Sequence, residues 1–407
     1  MKPKTIKNID QYIGKPISAI LTFYETIRSV FLFKRKNIQI KKIIFFKLTE
    51  QGSSVLAYSA VKKATALVHR TNVYFCVFKD NREILDIMNI IPKENILPVR
   101  QNNIFIFLFD SIKALIKIRR LKIDTVIDME FFSRASAIFI YLTGAKKRTG
   151  YHKFTSSLPY RGNLMTHKIQ YNPYIHIAKS YLLLVESIFL DYRETPMPKI
   201  KIDDFKINIP KFKPTEAEVI SLKDKIKEQI KNDIKSPILI INPNASDLVA
   251  LRRWPICNFI ALIKKLIKEF TELTIIITGE LSEQNIAKEI CNTINSKRII
   301  NLTGKISLRE LTTLYTISDV NVTNDSGPGH FASLTDINNI VLFGPETPRL
   351  FAPLGKNTYI MQSNFACSPC INMSNYRFSS CKNNLCMQAI KVEHVYDKVK
   401  EILKNTK

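Results

Sequence analysis

The sequence predicts an α/β protein built from two doubly wound domains, and three observations predict it. Short apolar runs alternate with helix-length segments along the 407 residues, as expected where parallel strands are covered on both faces by helices. A chain of this length can hold two cores. The alternation is interrupted across 195–236 by a stretch that begins Pro-rich (Pro196, Pro198, Pro210, Pro214) and turns charged and helical from Thr215. That stretch is read as a linker between a first domain at 41–194 and a second at 237–390. An extension at 1–40 precedes them and a helix at 391–407 follows.

Within the extension, an apolar run at 17–33 is interrupted by Glu25 and Arg28 and followed by Lys34, Arg35 and Lys36. It is too polar and too short for a spanning helix and lacks the cleavage pattern of a signal peptide. An interfacial helix with a basic flank fits the pattern; a helix docked on the first domain is the alternative. The first domain then reads as strands at 42–47, 72–77 and 124–128 with a helix at 53–67. A further apolar helix at 105–118, broken by Asp110, Lys113 and Lys117, is read as packed on the core. In the second domain, 237–246, 274–280, 319–330 and 338–348 each read as a buried strand running into a polar or Gly/Pro loop. A helix is expected at 256–270. The last helical pattern, 392–403, is expected to pack back on the first domain.

Such loops at strand carboxyl ends are where open α/β sheets bind ligands. The densest is Asp325-Ser326-Gly327-Pro328-Gly329-His330. Asp325 or Ser326 suits a helix N-cap, Pro328 a first turn, and Gly327 and Gly329 remove side chains where backbone must be approached. A helix start of this kind offers unpaired N–H groups and a positive dipole end, hence an anion site. His330 adds a donor. The expected ligand is a phosphate, taken as the diphosphate of a nucleotide; an ordinary strand-to-helix turn is the alternative. Asn244 and Ser246 follow the first strand of this half. Glu280 follows the second, as a ribose acceptor or a cap. Arg252 and Arg253 stand before a helix whose dipole opposes them, which argues for a functional reason. Gly344, like Gly52 in the first domain, is read as support for a phosphate loop.

Together these motifs resemble the glycosyltransferase family of the ADP-heptose:lipopolysaccharide heptosyltransferases, glycosyltransferase family 9. In that family an Asp-Ser-Gly-Pro-x-His element, a Phe-Gly-Pro loop and an Arg/Lys-Trp-Pro element mark the sugar-nucleotide half. Their counterparts here are 325–330, Phe343-Gly344-Pro345 and Arg253-Trp254-Pro255. The resemblance covers most of 41–390 and is strongest over 237–355. It implies a GT-B architecture, two Rossmann-like domains facing a cleft. It also implies inverting transfer of heptose or a related sugar from an ADP-heptose-like donor to a lipopolysaccharide core or other lipid-linked saccharide.

Inverting transfer needs a base at the acceptor hydroxyl and groups that stabilise the departing diphosphate. The resembled family generally places Gly-Asp in the loop after the first strand, with the Asp as base. Here Gly52 is followed by Ser53, a poor base without a partner. Glu50 in the same loop is the substitute carboxylate, or a cap at the helix start. Asp128 and Glu130, after the 124–128 strand, are the next candidates. A catalytically silent member that binds donor, and a nucleotide-sugar epimerase of the same fold, stay open.

The net charge is +26, from 61 Lys+Arg against 35 Asp+Glu, a field that attracts polyanions of any kind. No recognisable nucleic-acid module accompanies it and the basic residues are spread. The reading is therefore an anionic membrane surface bearing an acidic lipid-linked acceptor, with no nucleic acid. Without an export signal the expected place is the cytoplasm, at the inner face of the cytoplasmic membrane. In that reducing compartment disulfides are not expected. Cys367, Cys370, Cys381 and Cys386 have the count of a zinc site, but the second pair is separated by four residues rather than two. No Asp-x-Asp motif is present. The reading requires no metal or other cofactor, with zinc at the four cysteines as the alternative.

Overall fold

The computed structural model describes residues 10–31, 39–131, 133–152, 160–191, 197–230, 234, 236–373 and 378–405. Lys34, Arg35, Lys36, Thr195 and Pro196, which figure in the expectations above, lie outside the described residues. The chain divides into two compact units, Met1–Asn208 and Ile209–Lys407.

The first unit is built on β1 (Ile43–Phe46), β2 (Val73–Phe78), β3 (Ile96–Val99), β4 (Thr125–Asp128), β5 (Lys147–His152) and β6 (His167–Gln170). Its helices are α1 (Lys15–Phe31), α2 (Gln51–Leu56), α3 (Tyr58–Val68), α4 (Arg82–Met88), α5 (Ile104–Arg120), α6 (Arg134–Leu142) and α7 (Ile177–Glu186). In the second unit α8 (Glu216–Ile230) leads into β7 (Ile238–Asn242), α9 (Ile256–Glu269), β8 (Thr274–Ile277), α10 (Gln284–Ile294) and β9 (Ile299–Asn301). There follow α11 (Leu308–Thr316), β10 (Val320–Asn324), α12 (Gly327–Ala332), β11 (Asn338–Phe343), α13 (Pro348–Phe351), β12 (Thr358–Gln362), α14 (Leu385–Gln388) and α15 (Val392–Asn405).

Both sheets are wholly parallel. The first runs β3-β2-β1-β4-β5-β6; the second, read from its far edge, runs β9-β8-β7-β10-β11-β12. The two units thus share one doubly wound order. Their central strands are buried on both faces, so Ile43–Phe46 and Ile238–Asn242 read as continuous apolar runs rather than alternations. One core cluster joins Ile44, Phe46 and Val126 of the first sheet to Ala114 and Ile118 of α5 and to Ala137 and Ile140 of α6. Another joins β7, β8, β10 and β11 to α9, α10 and α15.

One expectation is corrected here. The terminal helix α15 buries Val395, Val399, Ile402 and Leu403 in the second unit's own core, because β7 and β10 leave a face that its apolar stripe completes. The helix expected from Thr215 within 195–236 is present as α8, which packs on α11 and is tied to it by Lys225 and Glu310 at 2.7 Å. The helix read as core-packed, α5, does place Ala114 and Ile118 in the first unit's core and also leaves Phe105, Leu108, Phe109, Ile112 and Ile116 exposed. No described helix is long and apolar enough to cross a membrane.

Candidate functional site

In a doubly wound sheet the connections after the two middle strands leave on opposite faces, which opens a crevice beyond their carboxyl ends. That point lies beyond β1 and β4 in the first unit, and beyond β7 and β10 in the second. The loops after these strands hold Glu50 and Glu130 in one unit, and Asn244 and Asp325 in the other.

In the first unit the loop after β1 is organised by Lys47, whose side chain is 1 % exposed. Its ammonium donates to Glu130 Oε2 at 3.3 Å, Thr49 Oγ1 at 3.3 Å and Glu50 Oε2 at 3.4 Å, and lies 5.7 Å from the Phe131 ring centroid. Glu130 Oε1 accepts the backbone N–H groups of Leu48 at 2.6 Å and Thr49 at 3.0 Å. The chain then turns sharply: Glu50 has φ of 69°, a conformation that costs a non-glycine residue about 1–3 kcal/mol. Glu50 occupies the N-cap position of α2, yet its carboxylate caps no backbone N–H. It accepts instead from Ser53 Oγ at 2.8 Å. Ser53 and Gly52 are both buried in α2. The capping role weighed for Glu50 is thus absent, and the departure from Gly-Asp has a local partner: hydroxyl and carboxylate of the two candidate residues are hydrogen-bonded.

The other carboxylates after β4 are withdrawn. Asp128 is 0 % exposed, pairs with Arg161, accepts from Ser136 Oγ at 3.0 Å and accepts the Glu130 N–H at 3.0 Å. Burial pushes its carboxyl up from the ordinary range, opposed by the charge and hydrogen bond of Arg161. As a catalytic base Asp128 is therefore corrected to a structural acid: it reaches no solvent. Glu130 is committed to the β1 loop.

In the second unit Asn324, the last residue of β10, crosses the crevice. Its Nδ2 donates to the carbonyls of Pro243 at 2.9 Å and Asn244 at 3.2 Å, and its Oδ1 accepts the Trp254 N–H at 3.0 Å. Trp254 is buried and donates from Nε1 to Ile390 O at 2.9 Å. This frame leaves Asn244 1 % exposed, with neither Nδ2 nor Oδ1 hydrogen-bonded among the described residues. Thr303 Oγ1, beyond β9, is likewise buried and unmatched. Gly279 fits between them, since a Cβ there would lie 2.7 Å from Asn244 Nδ2 and 3.2 Å from Thr303 Cγ2. A buried polar atom without a partner costs about 1–3 kcal/mol; Asn244, after β7, and Thr303, after β9, are two residues that carry such atoms among those described.

The two arginines expected in a cationic cradle make contacts within the unit. Arg252 Nε lies 3.2 Å from Asp325 Oδ2, and its terminal nitrogen 3.5 Å from Glu346 Oε2. Both carboxylates are buried. Arg253 donates twice to the Ala245 carbonyl, at 2.9 and 2.6 Å. These contacts explain why two cations tolerate a helix start. The helix α12 spans six residues with Ser326 at its N-cap and His330 buried, under two turns, so its dipole is short. Gly327 makes room for the Phe331 ring, 2.9 Å from a Cβ placed there, and Gly329 for Pro353 at 3.3 Å. A valine at 327 therefore strains the fold as well as any ligand site. Gly344 is not loop support: a Cβ would meet Met387 Sδ at 2.4 Å and Cys386 Sγ at 3.1 Å. Ser246 is exposed, and Glu280 is exposed at the head of a short turn where its N–H donates to Glu283 at 2.8 Å. The four C-terminal cysteines are free thiols. Burial first, then Cys370, Cys367 and Cys381, push the Cys386 thiol up, but no metal-ligating group is gathered among the described residues.

Lys47, Asn324, Glu346 and Thr303 were not singled out from sequence. Lys47, Asn324 and Glu346 stood within the segments read at 42–47, 319–330 and 338–348, but none was given a role.

Residues 112–377 match the model of glycosyltransferase family 9 (heptosyltransferase). The chain is 27 % identical over 172 residues to lipooligosaccharide heptosyltransferase 2 of Campylobacter jejuni, covering 42 % of this chain and 52 % of that one. It thus spans about half the length of that relative. It is 22 % identical over 363 residues to lipopolysaccharide heptosyltransferase 1 of Campylobacter coli, covering 89 % of this chain and 98 % of the relative. The fold is similar to that of Escherichia coli ADP-heptose lps heptosyltransferase II, with TM-score 0.68, 18 % identity and coverage of 90 % and 99 %. With the family model matched over 112–377, more than half of the chain, the chain belongs to glycosyltransferase family 9.

Proposed function

We propose that this family member transfers heptose or a related sugar, with inversion, from a nucleoside diphosphate donor of the ADP-heptose type. The acceptor is a lipopolysaccharide core or another lipid-linked saccharide, met at the cytoplasmic face of a membrane. The family and the names of its relatives support the reaction class. The observation that carries the donor site is the buried, unmatched Asn244 amide at the second unit's crevice; the exposed Ser246, Glu280 and the Ser326–His330 loop surround the same sheet end. On the acceptor side, Glu50 Oε takes the proton of the acceptor hydroxyl while that oxygen attacks the anomeric carbon. The bond from that carbon to the diphosphate oxygen breaks, and the nucleoside diphosphate leaves with the electron pair. Ser53 and Lys47 position the carboxylate. No step in this reading uses a divalent cation, and turnover is expected to persist in chelator.

Two substitutions test it. Glu50→Gln is expected to lower kcat at least ~10²-fold, the low end for general-base removal, with donor affinity unchanged. Asn244→Ala is expected to weaken nucleoside diphosphate binding about 10-fold by calorimetry, the worth of one or two hydrogen bonds, while thermal stability holds or rises because an unmatched amide is gone. Full activity in the first removes Glu50 as the base. Unchanged affinity in the second removes the donor site from this crevice.

A further inference from the structure

The N-terminal helix α1 is docked inside out. Toward the first unit it turns Asp10, just before the helix, then Gly14, Ser18, Thr22 and Glu25, a helical stripe of polar and small residues. Asp10 pairs with Arg134 at 2.6 Å, the Asn163 N–H donates to Thr22 Oγ1 at 2.8 Å, and Glu25 accepts from Tyr141 at 3.0 Å beside Arg148 at 3.6 Å. Ser18 is 0 % exposed. On the opposite face Ile13, Ile17, Ile20, Phe23, Tyr24 and Ile27 stand in water, Phe23 at 70 % exposure. A helix that serves only its own fold buries the other stripe.

Helix α5 repeats the arrangement. Phe105, Leu108, Phe109, Ile112 and Ile116 fall at helical spacing and are all exposed, Phe105 at 79 %. Its one acid, Asp110, is buried and held well below the usual carboxylate range, at about 2, by hydrogen bonds from Arg100. Both helices lie on the same side of the first sheet: Leu21 of α1 packs on the cluster that contains Ala114 and Ile118 of α5. The exposed charges of the two helices are Lys15 and Arg28 on α1, the latter 3.4 Å from Glu25, and Lys113, Lys117, Arg119 and Arg120 on α5. Neither helix exposes a carboxylate among the described residues.

We propose that α1 and α5 form a platform that lies on an anionic lipid bilayer, aromatic and aliphatic side chains in the headgroup–acyl boundary and the basic residues against headgroup phosphates. Charge selects this occupant. A second copy would bring the same basic face against itself, with cation opposite cation, whereas an anionic bilayer is complementary to it. The proposal deepens the lipid-linked acceptor reading and rests on it for the purpose of docking; the docking itself is measured without turnover.

The test is co-sedimentation of the full chain with phosphatidylcholine vesicles and with phosphatidylcholine–phosphatidylglycerol vesicles. The wild type is expected to bind the anionic vesicles and to be released in part as salt shortens the screening length below ~8 Å. Phe23→Ser/Tyr24→Ser and Phe105→Ser/Phe109→Ser are each expected to weaken binding by at least ~10-fold, since each removes two buried-on-binding aromatics, with melting temperature and nucleotide affinity unchanged. Lys113→Gln/Lys117→Gln is expected to flatten the salt dependence. Variants that bind like the wild type overturn the proposal, as does a wild type that ignores anionic vesicles. A wild-type dimer by light scattering that the same variants dissolve reassigns the face to self-association. Vesicle binding without sugar transfer would leave docking standing and remove the transfer reading.

Discussion

The two crevices have the same topology and are braced by opposite chemistry. In the first unit a carboxylate, Glu130, reaches across from β4 and accepts two backbone N–H groups after β1, with a buried ammonium, Lys47, beneath them. In the second unit an amide, Asn324, reaches across from β10 and donates to two carbonyls after β7. The first brace is ionic and places a carboxylate, Glu50, on a strained turn; the second is neutral and leaves an amide, Asn244, unmatched. One crevice thus carries a charged bracing network, and the other a neutral one with an unmatched amide. A shared strand order fixes where the two crevices open, while the bracing residues set whether their loops are held by charge or by neutral hydrogen bonds.

The largest effect should come from breaking the ionic brace. Glu130→Ala leaves Lys47 with less compensation and two backbone N–H groups unpaired, and is expected to destabilise by about 3–5 kcal/mol, the range for removing one partner of a buried pair. Lys47→Met/Glu130→Gln should recover part of that loss, since the charge is gone while Gln still accepts a backbone N–H. Denaturant titration reads both. Asn324→Ala should cost less, about 1–3 kcal/mol for orphaned neutral groups. If it costs as much as Glu130→Ala, the contrast between ionic and neutral braces fails.

The second unit was the more legible of the two in sequence. Its central strands are apolar runs that end in Gly/Pro motifs, so β7, β8, β10 and β11 and the loops after them were found. Strands β3, β6, β9 and β12 were not, and all four are sheet edges. Edge strands are short and half solvated, which weakens their pattern, and β3 carries Pro98 at an exposed edge position where no ladder N–H is required. Strand β5, with Lys147, Arg148 and His152, was not found either; it is held because Arg148 donates to the carbonyls of Ala145 at 2.6 Å and Leu164 at 2.8 Å. The same blindness hid Lys47 and Arg161: sequence shows a charge but not its burial. It also hid α5, whose apolar residues are as periodic facing outward as they would be facing a core. The loops after the central strands stood out in sequence, whereas the contacts of Arg252, Asp128 and Gly344 are made with partners far away in it.

The smallest expected effect concerns pH, and it follows from the ionic character of the first unit. Burial, then the charges of Lys168 and Arg161, push the His152 imidazole down to about 4, against about 6.5 in an unfolded chain. The folded state therefore holds a neutral ring where the unfolded state takes a proton. Between about 6.5 and about 4 the unfolded chain binds more protons, so stability is full above that window and declines as pH falls through it. Denaturant titrations at pH 7.5 and pH 5 should show a smaller decline for His152→Gln than for the wild type, which isolates this group from the other five histidines among the six in the chain. Arg161 both pairs with Asp128 and depresses His152, so Arg161→Met should raise the His152 transition as read by NMR titration, toward the unfolded value. An unmoved transition would mean that burial alone sets it, and that the first unit's charges act as separate pairs rather than as one field.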